Sequence, residues 1–231
     1  MPGSPELTDE LKAIACDAAR DLSWLAATHA VLRTPTINLS EHALALLAYP
    51  DKFTDKRIAN CFRTFQAYLV RPPRDGPGHY LNKAAVVYAV AVLEAFLQDS
   101  HHAVFGRSME GRSLSAYAKT IEGHVHGFTD NAKAALFLAQ LRHVIVHNHG
   151  RVDKKFLDKA KPIRDTAIWP DSPGPDAVSF DSDYIEGQQV CLDVAKVIIP
   201  YLDKAVQFVD YAQREFRKLA DKKGSGQIPE T

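Results

Sequence analysis

The stretch YLNKAAVVYAVAVLEAFLQ, residues 80–98, is apolar on nearly every helical face, and Glu94 is its one acidic residue. It lies within residues 78–161, which contain no proline, the main helix breaker. A helix that is apolar all round is typical of the centre of a bundle. We therefore predict an all-α fold built around this helix. A carboxylate there costs free energy unless it has a partner or faces a polar cleft, so Glu94 needs one or the other.

The flanking sequence adds further helices, which are separated by prolines, glycines and changes of hydrophobic spacing. The predicted segments are residues 8–32, 40–49, 54–70, 113–121, 131–147, 153–161 and 182–222. Residues 100–113 are expected to form a loop. Asp130 or Asn131 is expected to cap the helix that ends at residue 147, and Pro200 to kink the last helix.

One irregular segment interrupts the helical pattern. IRDTAIW (residues 163–169) and AVSF (residues 177–180) flank the turn-rich PDSPGPD, which predicts a small β-hairpin insertion before the long C-terminal helix. We expect an N-terminal helical region at residues 1–77, packed on or extending the bundle. A helical domain follows at residues 78–222, and the tail at residues 223–231 is expected to be disordered.

Composition narrows the functional class. Lys and Arg total 28 and Asp and Glu total 28, so there is no global basic coat, and a polyanion would need a local patch. The three cysteines, Cys16, Cys61 and Cys191, form no disulfide framework or CxxC pair. Without a signal-peptide pattern or a membrane-length apolar run, a cytoplasmic protein is expected. No P-loop, dinucleotide-binding glycine pattern or GxSxG turn supports ATP-dependent, hydride-transfer or serine-hydrolase chemistry.

Charge is unevenly distributed along the second half of the chain. Residues 142–164 contain seven Lys or Arg and two Asp, whereas residues 165–193 contain seven acids and no Lys or Arg. Two interpretations remain open. The blocks neutralise each other within the chain or in a second copy, or the first block is a functional basic patch.

The densest group of reactive side chains is LRHVIVHNHGRVD, residues 141–153. Cleavage of a phosphodiester needs a group that exchanges protons near neutral pH, as histidine does, and a cation such as guanidinium for the phosphate. Arg142 and His147 supply both, and no metal is required if the 2′-hydroxyl of RNA is the nucleophile. The two residues are about 140° apart around an α-helix. The site is therefore easier to form if the helix ends near His147, or if two copies meet across a dimer axis.

These residues resemble a known signature. RHVIVH, residues 142–147, resembles the R-x4-H motif of the HEPN superfamily, and IVHNHGRVD is similar to the I-V-H-N-x-G-x-x-D form of several prokaryotic HEPN families. The resemblance covers residues 78–222. It implies a homodimer whose paired motifs form a metal-independent endoribonuclease site, with Arg142 binding phosphate and His147 as the acid and base. Many members are toxins or defence effectors, whereas others are inactive, nucleotide-binding or scaffolding proteins.

The remaining site residues are assigned in support of that pair. His143, Asn148, Asp153 and Glu94 are expected to shape the site, and Arg151, Lys154 and Lys155 to contact RNA. The expected partners are RNA, a second copy of the chain and a cognate inhibitor or antitoxin protein. No cofactor, bound metal or membrane is expected.

Two other interpretations of the same residues stay open. His143 and His147 are four apart on one helical face, a spacing that suits Zn²⁺ or Ni²⁺, but no HExxH glutamate and no cysteine accompany them. Alternatively the role is structural. Cationic side chains near a helix C-terminus interact favourably with the helix dipole, and Arg142 can pair with Glu94 or with an acid of residues 165–193.

Overall fold

The computed structural model describes residues 5–33, 77–106, 113–166, 184–190, 192 and 197–225. The helices in these ranges are α1 (Pro5–Arg33), α2 (Pro77–Phe105), α3 (Leu114–Glu122), α4 (Phe128–Asn131), α5 (Lys133–His147), α6 (Lys154–Thr166) and α7 (Ile199–Gly224). No strand occurs in these ranges, and the only β pairing is an isolated antiparallel bridge between Arg151 and Gln189. The all-α prediction is confirmed for this part of the chain. The predicted helices at residues 40–49 and 54–70, with Cys61 and Cys191, lie outside it.

Helix α2 is central, because α1, α3, α5 and α7 all pack against it. Its buried side chains are Ala85, Val86, Ala89, Val90, Leu93, Phe96, Leu97 and Val104. Each large apolar side chain removed from water contributes about 1.5–3 kcal/mol to folding. The prediction of burial all round is only partly right, because one narrow face stays exposed at Ala84, Tyr88, Ala91 and Ala95.

Helices α1 and α7 pack against each other and against α2. Leu11, Ala15, Ala18 and Leu22 recur at three- and four-residue steps along α1, and all four are buried. This spacing places them on one face, so α1 covers the bundle through a single apolar stripe. No helix in the described ranges is long and apolar enough to cross a lipid bilayer.

The short helix α4 is anchored by one aromatic side chain. Phe128 is fully buried, and its ring centroid lies 5.6 Å from that of Phe208 and 6.4 Å from that of Phe216, both on α7. Asp130 and Asn131 belong to α4, so the prediction that one of them caps the next helix is wrong. Helix α5 begins instead after Ala132, a buried residue that packs into the core.

Three other boundaries differ between the prediction and the structure: the start of the loop after α2, and the start and end of the last helix. The predicted loop at residues 100–113 begins later, because α2 continues to Phe105 while Ser100, His101 and Val104 are buried against the bundle. The last helix begins at Ile199 rather than at residue 182. Pro200 therefore lies in its first turn, where no intrahelical N–H is needed, and does not kink it. Helix α7 also includes residues 223 and 224 of the predicted tail.

The predicted hairpin begins inside a helix. Residues 163–166 belong to α6, which continues past Pro162. The hydrogen bond that proline cannot donate would reach the carbonyl of Asp158, an exposed residue, so water can satisfy that oxygen. Residues 167–183, which include the rest of the predicted hairpin, lie outside the described residues.

Candidate functional site

The helix that carries the motif, α5, ends within the motif itself. Helix α5 stops at His147, and the amides of Asn148 and Gly150 both donate to the carbonyl of Val144, at 2.9 and 3.0 Å. His149 and Gly150 have φ angles of 54° and 82°, in the left-handed region that terminates helices. The expectation that the helix ends near His147 is confirmed.

The loop after α5 is held by a second segment of chain, residues 187–190. The amide of Val152 donates to Gln188 at 2.9 Å, and the amide of Gly187 donates to Val152 at 2.8 Å. The amide of Val190 donates to Gly150 at 2.7 Å. These backbone bonds explain why this part of the predicted C-terminal helix is not helical, since its amides and carbonyls already pair with the motif loop.

Asn148 and Asp153 brace the loop. One carboxylate oxygen of Asp153 accepts the amide of Phe156 at 2.7 Å, which makes Asp153 the N-cap of α6. The other oxygen accepts a hydrogen bond from the side-chain nitrogen of Asn148. Neither residue lines the cleft described next. Their role in this structure is to fix the turn between α5 and α6.

A cleft with a volume of about 380 Å³ lies beside the last two turns of α5. Its lining includes Glu94 from α2, Arg142, His143 and His147 from α5, Lys159 from α6, and Ser113 and Ser115 at the start of α3. Four of the predicted site residues therefore meet in one place. Arg142 and His147 do not share a helical face, yet they line the same cleft from either side of His143 and Val146.

Arg142 is fixed by an ion pair with Glu94. Its Nη1 donates to both carboxylate oxygens of Glu94, at 2.9 and 3.0 Å, and the arginine side chain remains 39% exposed. The backbone amide of Leu114 donates to the same carboxylate at 3.3 Å. The sequence allowed Arg142 to pair with Glu94 or with an acid of residues 165–193, and in the structure it pairs with Glu94. Among the described residues, the Nε and Nη2 groups of Arg142 have no acceptor, so they are available to an anion in the cleft.

The two histidines of the cleft lie close together and differ in exposure. Their ring centroids are 4.7 Å apart, His147 is exposed and His143 is partly buried. Burial lowers the pKa of His143 from its ordinary value, and the nearby charges of His147, Lys155 and Lys159 lower it further, against an opposing effect of Asp153. These effects favour the neutral imidazole of His143, which can accept a proton or a hydrogen bond.

No group of three or more His, Cys, Asp or Glu side chains is arranged to hold a metal ion in the part of the chain that the structure describes. His143 and His147 alone supply two ligands, one fewer than a catalytic zinc site takes from the protein. Two further histidines, His124 and His126, could add metal ligands only if they lay near this pair. They lie in the turn between α3 and α4, and neither lines this cleft.

The predicted RNA-binding residues lie outside the cleft. Arg151, Lys154 and Lys155 are exposed on the loop and on the first turn of α6. Lys159, one turn further along α6, does line it and was missed as a site residue. The spacing of the lysines could not single it out, because Lys155 and Lys159 lie four residues apart on one side of a helix and only Lys159 lines the cleft. Most of the acidic block at residues 165–193 lies outside the described residues.

No protein-family model, no curated protein and no solved structure matches this chain.

Proposed function

We propose that this protein is a HEPN-type, metal-independent endoribonuclease that acts as a homodimer. The observation that supports it is the cleft beside the end of α5, where Arg142, His143, His147 and Lys159 converge. Two nitrogens of the Arg142 guanidinium have no acceptor among the described residues, and a phosphate offers the paired oxygens that guanidinium binds.

The reaction uses the RNA's own 2′-hydroxyl as the nucleophile. His147 removes the proton from that hydroxyl, and the 2′-oxygen attacks the adjacent phosphorus. The bond from phosphorus to the 5′-oxygen breaks, and the leaving oxygen takes a proton from the protonated His147 of the second copy. The products are a 2′,3′-cyclic phosphate and a 5′-hydroxyl. Arg142 stabilises the negative charge that develops on the phosphate oxygens.

A homodimer supplies the second acid-base group that this scheme requires. His147 is the last residue of α5, and both it and Val146 are exposed at the cleft, 51% in the case of Val146. A second copy that approaches this edge brings its own His147 to the leaving oxygen. In this proposal RNA is the substrate, Arg151, Lys154 and Lys155 guide it, and the biological role is that of a toxin or defence effector held in check by a cognate inhibitor or antitoxin protein.

The test is cleavage of a labelled RNA mixture in EDTA by the wild type and by the His147→Ala and Arg142→Ala variants. His147→Ala should lower the rate by about 10² or more, since a positioned acid-base group contributes about 10²–10⁴. Arg142→Ala should also lower it by about 10² or more, since removing one donor that stabilises developing charge costs about 10²–10³. His102→Ala, which removes an exposed histidine on α2 outside the cleft, should cleave at the wild-type rate. Equal cleavage by His147→Ala and the wild type, or products without 2′,3′-cyclic ends, would contradict the mechanism.

A second candidate is a non-catalytic HEPN-like module that binds RNA, a nucleotide or a partner protein. The ion pair between Glu94 and Arg142 favours it, because the same contact serves to join α2 to α5 in a protein without catalysis. This candidate predicts no cleavage by any variant and retention of RNA, nucleotide or a protein partner by the wild type. A gel shift with the same labelled RNA tests whether RNA is the ligand.

A further inference from the structure

Lys159 is a second cation that lines the cleft, on a different helix from Arg142. It lies on α6, whereas Arg142 lies on α5, and both line the same volume. Arg142 is held by the carboxylate of Glu94. Lys159, in contrast, has no carboxylate within ion-pair distance among the described residues, and its side chain is exposed.

The surface near these two cations suits a nucleotide. His143 and Val146 also line the cleft, and Val146 is one of four large apolar side chains that are exposed in the described residues. The face of an imidazole ring and an isopropyl group offer a nucleobase a surface for stacking and apolar contact. Lys159 is also near enough to His143 that its charge is one of those that lower the pKa of that histidine.

We propose that Lys159 binds a second phosphate, next to the one held by Arg142, so that the cleft prefers RNA with at least two consecutive phosphates. This inference rests on the proposed function, since it assumes that the phosphate of an RNA occupies the position beside Arg142. It assigns the substrate class of the site as an oligonucleotide rather than a dinucleoside monophosphate. It also assigns Lys159 a positioning role, because an ammonium group binds phosphate as a point charge and transfers no proton in the reaction.

The test measures binding rather than cleavage, so that it stays interpretable if the protein proves not to be a nuclease. Three ligands carry 2′-O-methyl groups and cannot react: the dinucleotide UpU with one phosphate, the same dinucleotide with an added 5′-phosphate, and the same with an added 3′-phosphate. Isothermal titration of the full chain gives the dissociation constant of each. Running both two-phosphate ligands identifies on which side of the first phosphate Lys159 lies.

The wild type should bind one two-phosphate ligand about three- to fivefold more tightly than UpU, as expected for one exposed charge pair. Lys159→Ala should remove that advantage and leave the affinity for UpU within about twofold. Lys222→Ala, which removes an exposed lysine on α7 outside the cleft, should keep the advantage.

Three results would overturn the inference. The wild type could bind neither two-phosphate ligand more tightly than UpU, or Lys159→Ala could still bind one of them more tightly. Lys159→Ala could also lose the same fraction of its affinity for all three ligands. Failure of the proposed function gives different results: absence of nuclease activity appears only in the cleavage assay, and absence of a phosphate at Arg142 appears as affinities for all three ligands that Arg142→Ala leaves unchanged.

Discussion

Both carboxylate oxygens of Glu94 accept a hydrogen bond from the same nitrogen of Arg142, across 48 residues of sequence. The pair joins α2 to α5 at the wall of the cleft. Because the amide of Leu114 also donates to this carboxylate, the contact ties the start of α3 to the same point. The one acidic residue of the central apolar stretch is therefore the residue that orients the guanidinium of the candidate site.

Breaking this pair should destabilise the fold and misplace the arginine. Glu94→Gln, which keeps the shape and one acceptor, should lower the free energy of unfolding by about 1 kcal/mol, because the pair is only partly screened by solvent. The matching double-mutant cycle uses Glu94→Gln, Arg142→Gln and both together, measured by urea denaturation. The coupling free energy should be about 1 kcal/mol and favourable. A coupling of zero would mean that the contact contributes no stability.

His143 should titrate below an ordinary histidine and should respond to the charges around it. Because burial and neighbouring positive charges disfavour its protonated form, the unfolded state takes up a proton first as the pH falls below about 6.5. His143 therefore contributes a loss of stability as the pH falls from that value to its folded pKa. Above about pH 6.5 it is neutral in both states and contributes no pH dependence.

Replacing Lys159 with Met tests the electrostatic part of this effect. The pKa of His143, followed by NMR titration, should rise in Lys159→Met because one positive charge is removed, yet it should stay below the ordinary value because burial is the larger cause. Lys222→Met, on α7, should leave the His143 titration unchanged. A pKa that falls in Lys159→Met would contradict the assignment of Lys159 to this cleft.

Gly150 should tolerate alanine less well than Gly187 does. Both have positive φ angles, 82° and 81°, so alanine costs about 1 kcal/mol of backbone strain at either position. A Cβ at Gly187 meets open space, whereas one at Gly150 lies 2.8 Å from Oε1 of Gln189 and from Cε of Lys83. These flexible ends must move, which breaks the hydrogen bonds of Lys83 to Gln189 and to the carbonyl of His149.

Thermal or urea unfolding of Gly150→Ala and Gly187→Ala measures the difference. Gly150→Ala should be less stable than Gly187→Ala by about 1 kcal/mol, the value of one or two weak hydrogen bonds. Equal stability of the two variants would show that the contacts of Lys83 and Gln189 with the motif loop contribute nothing.

Asp153 should matter as a helix cap as well as a loop brace. Asp153→Ala removes the hydrogen bond to the amide of Phe156 and the partner of Asn148, so it should cost about 1–2 kcal/mol of unfolding free energy. Ser113 is the matched control, because it occupies the N-cap of α3 without a side-chain hydrogen bond. Ser113→Ala should cost no more than a few tenths of a kcal/mol. If both variants lose the same stability, the capping role of Asp153 is wrong.

Much of the candidate site was predictable because it lies in one short segment. The end of α5 at His147 follows from Asn148 and Gly150, and a helix end depends on residues within one turn. The start of α5 was missed because Asp130 and Asn131 form a turn of their own under the buried Phe128. Pro200 was expected to kink a helix that starts at residue 182. Proline suits a first turn equally well, and residues 187–190, which the prediction placed in that helix, pair with the motif loop instead.

By itself, the sequence determined the helical class of the described residues, the end of the motif helix and the segment that carries Arg142, His143 and His147. These features depend on spacing and capping within a few residues. The tertiary structure decided that Glu94 is the partner of Arg142 and that Lys159, rather than Arg151, Lys154 or Lys155, reaches the cleft. Which side chains face each other across helices depends on how all the apolar faces pack together, and no local pattern contains that information.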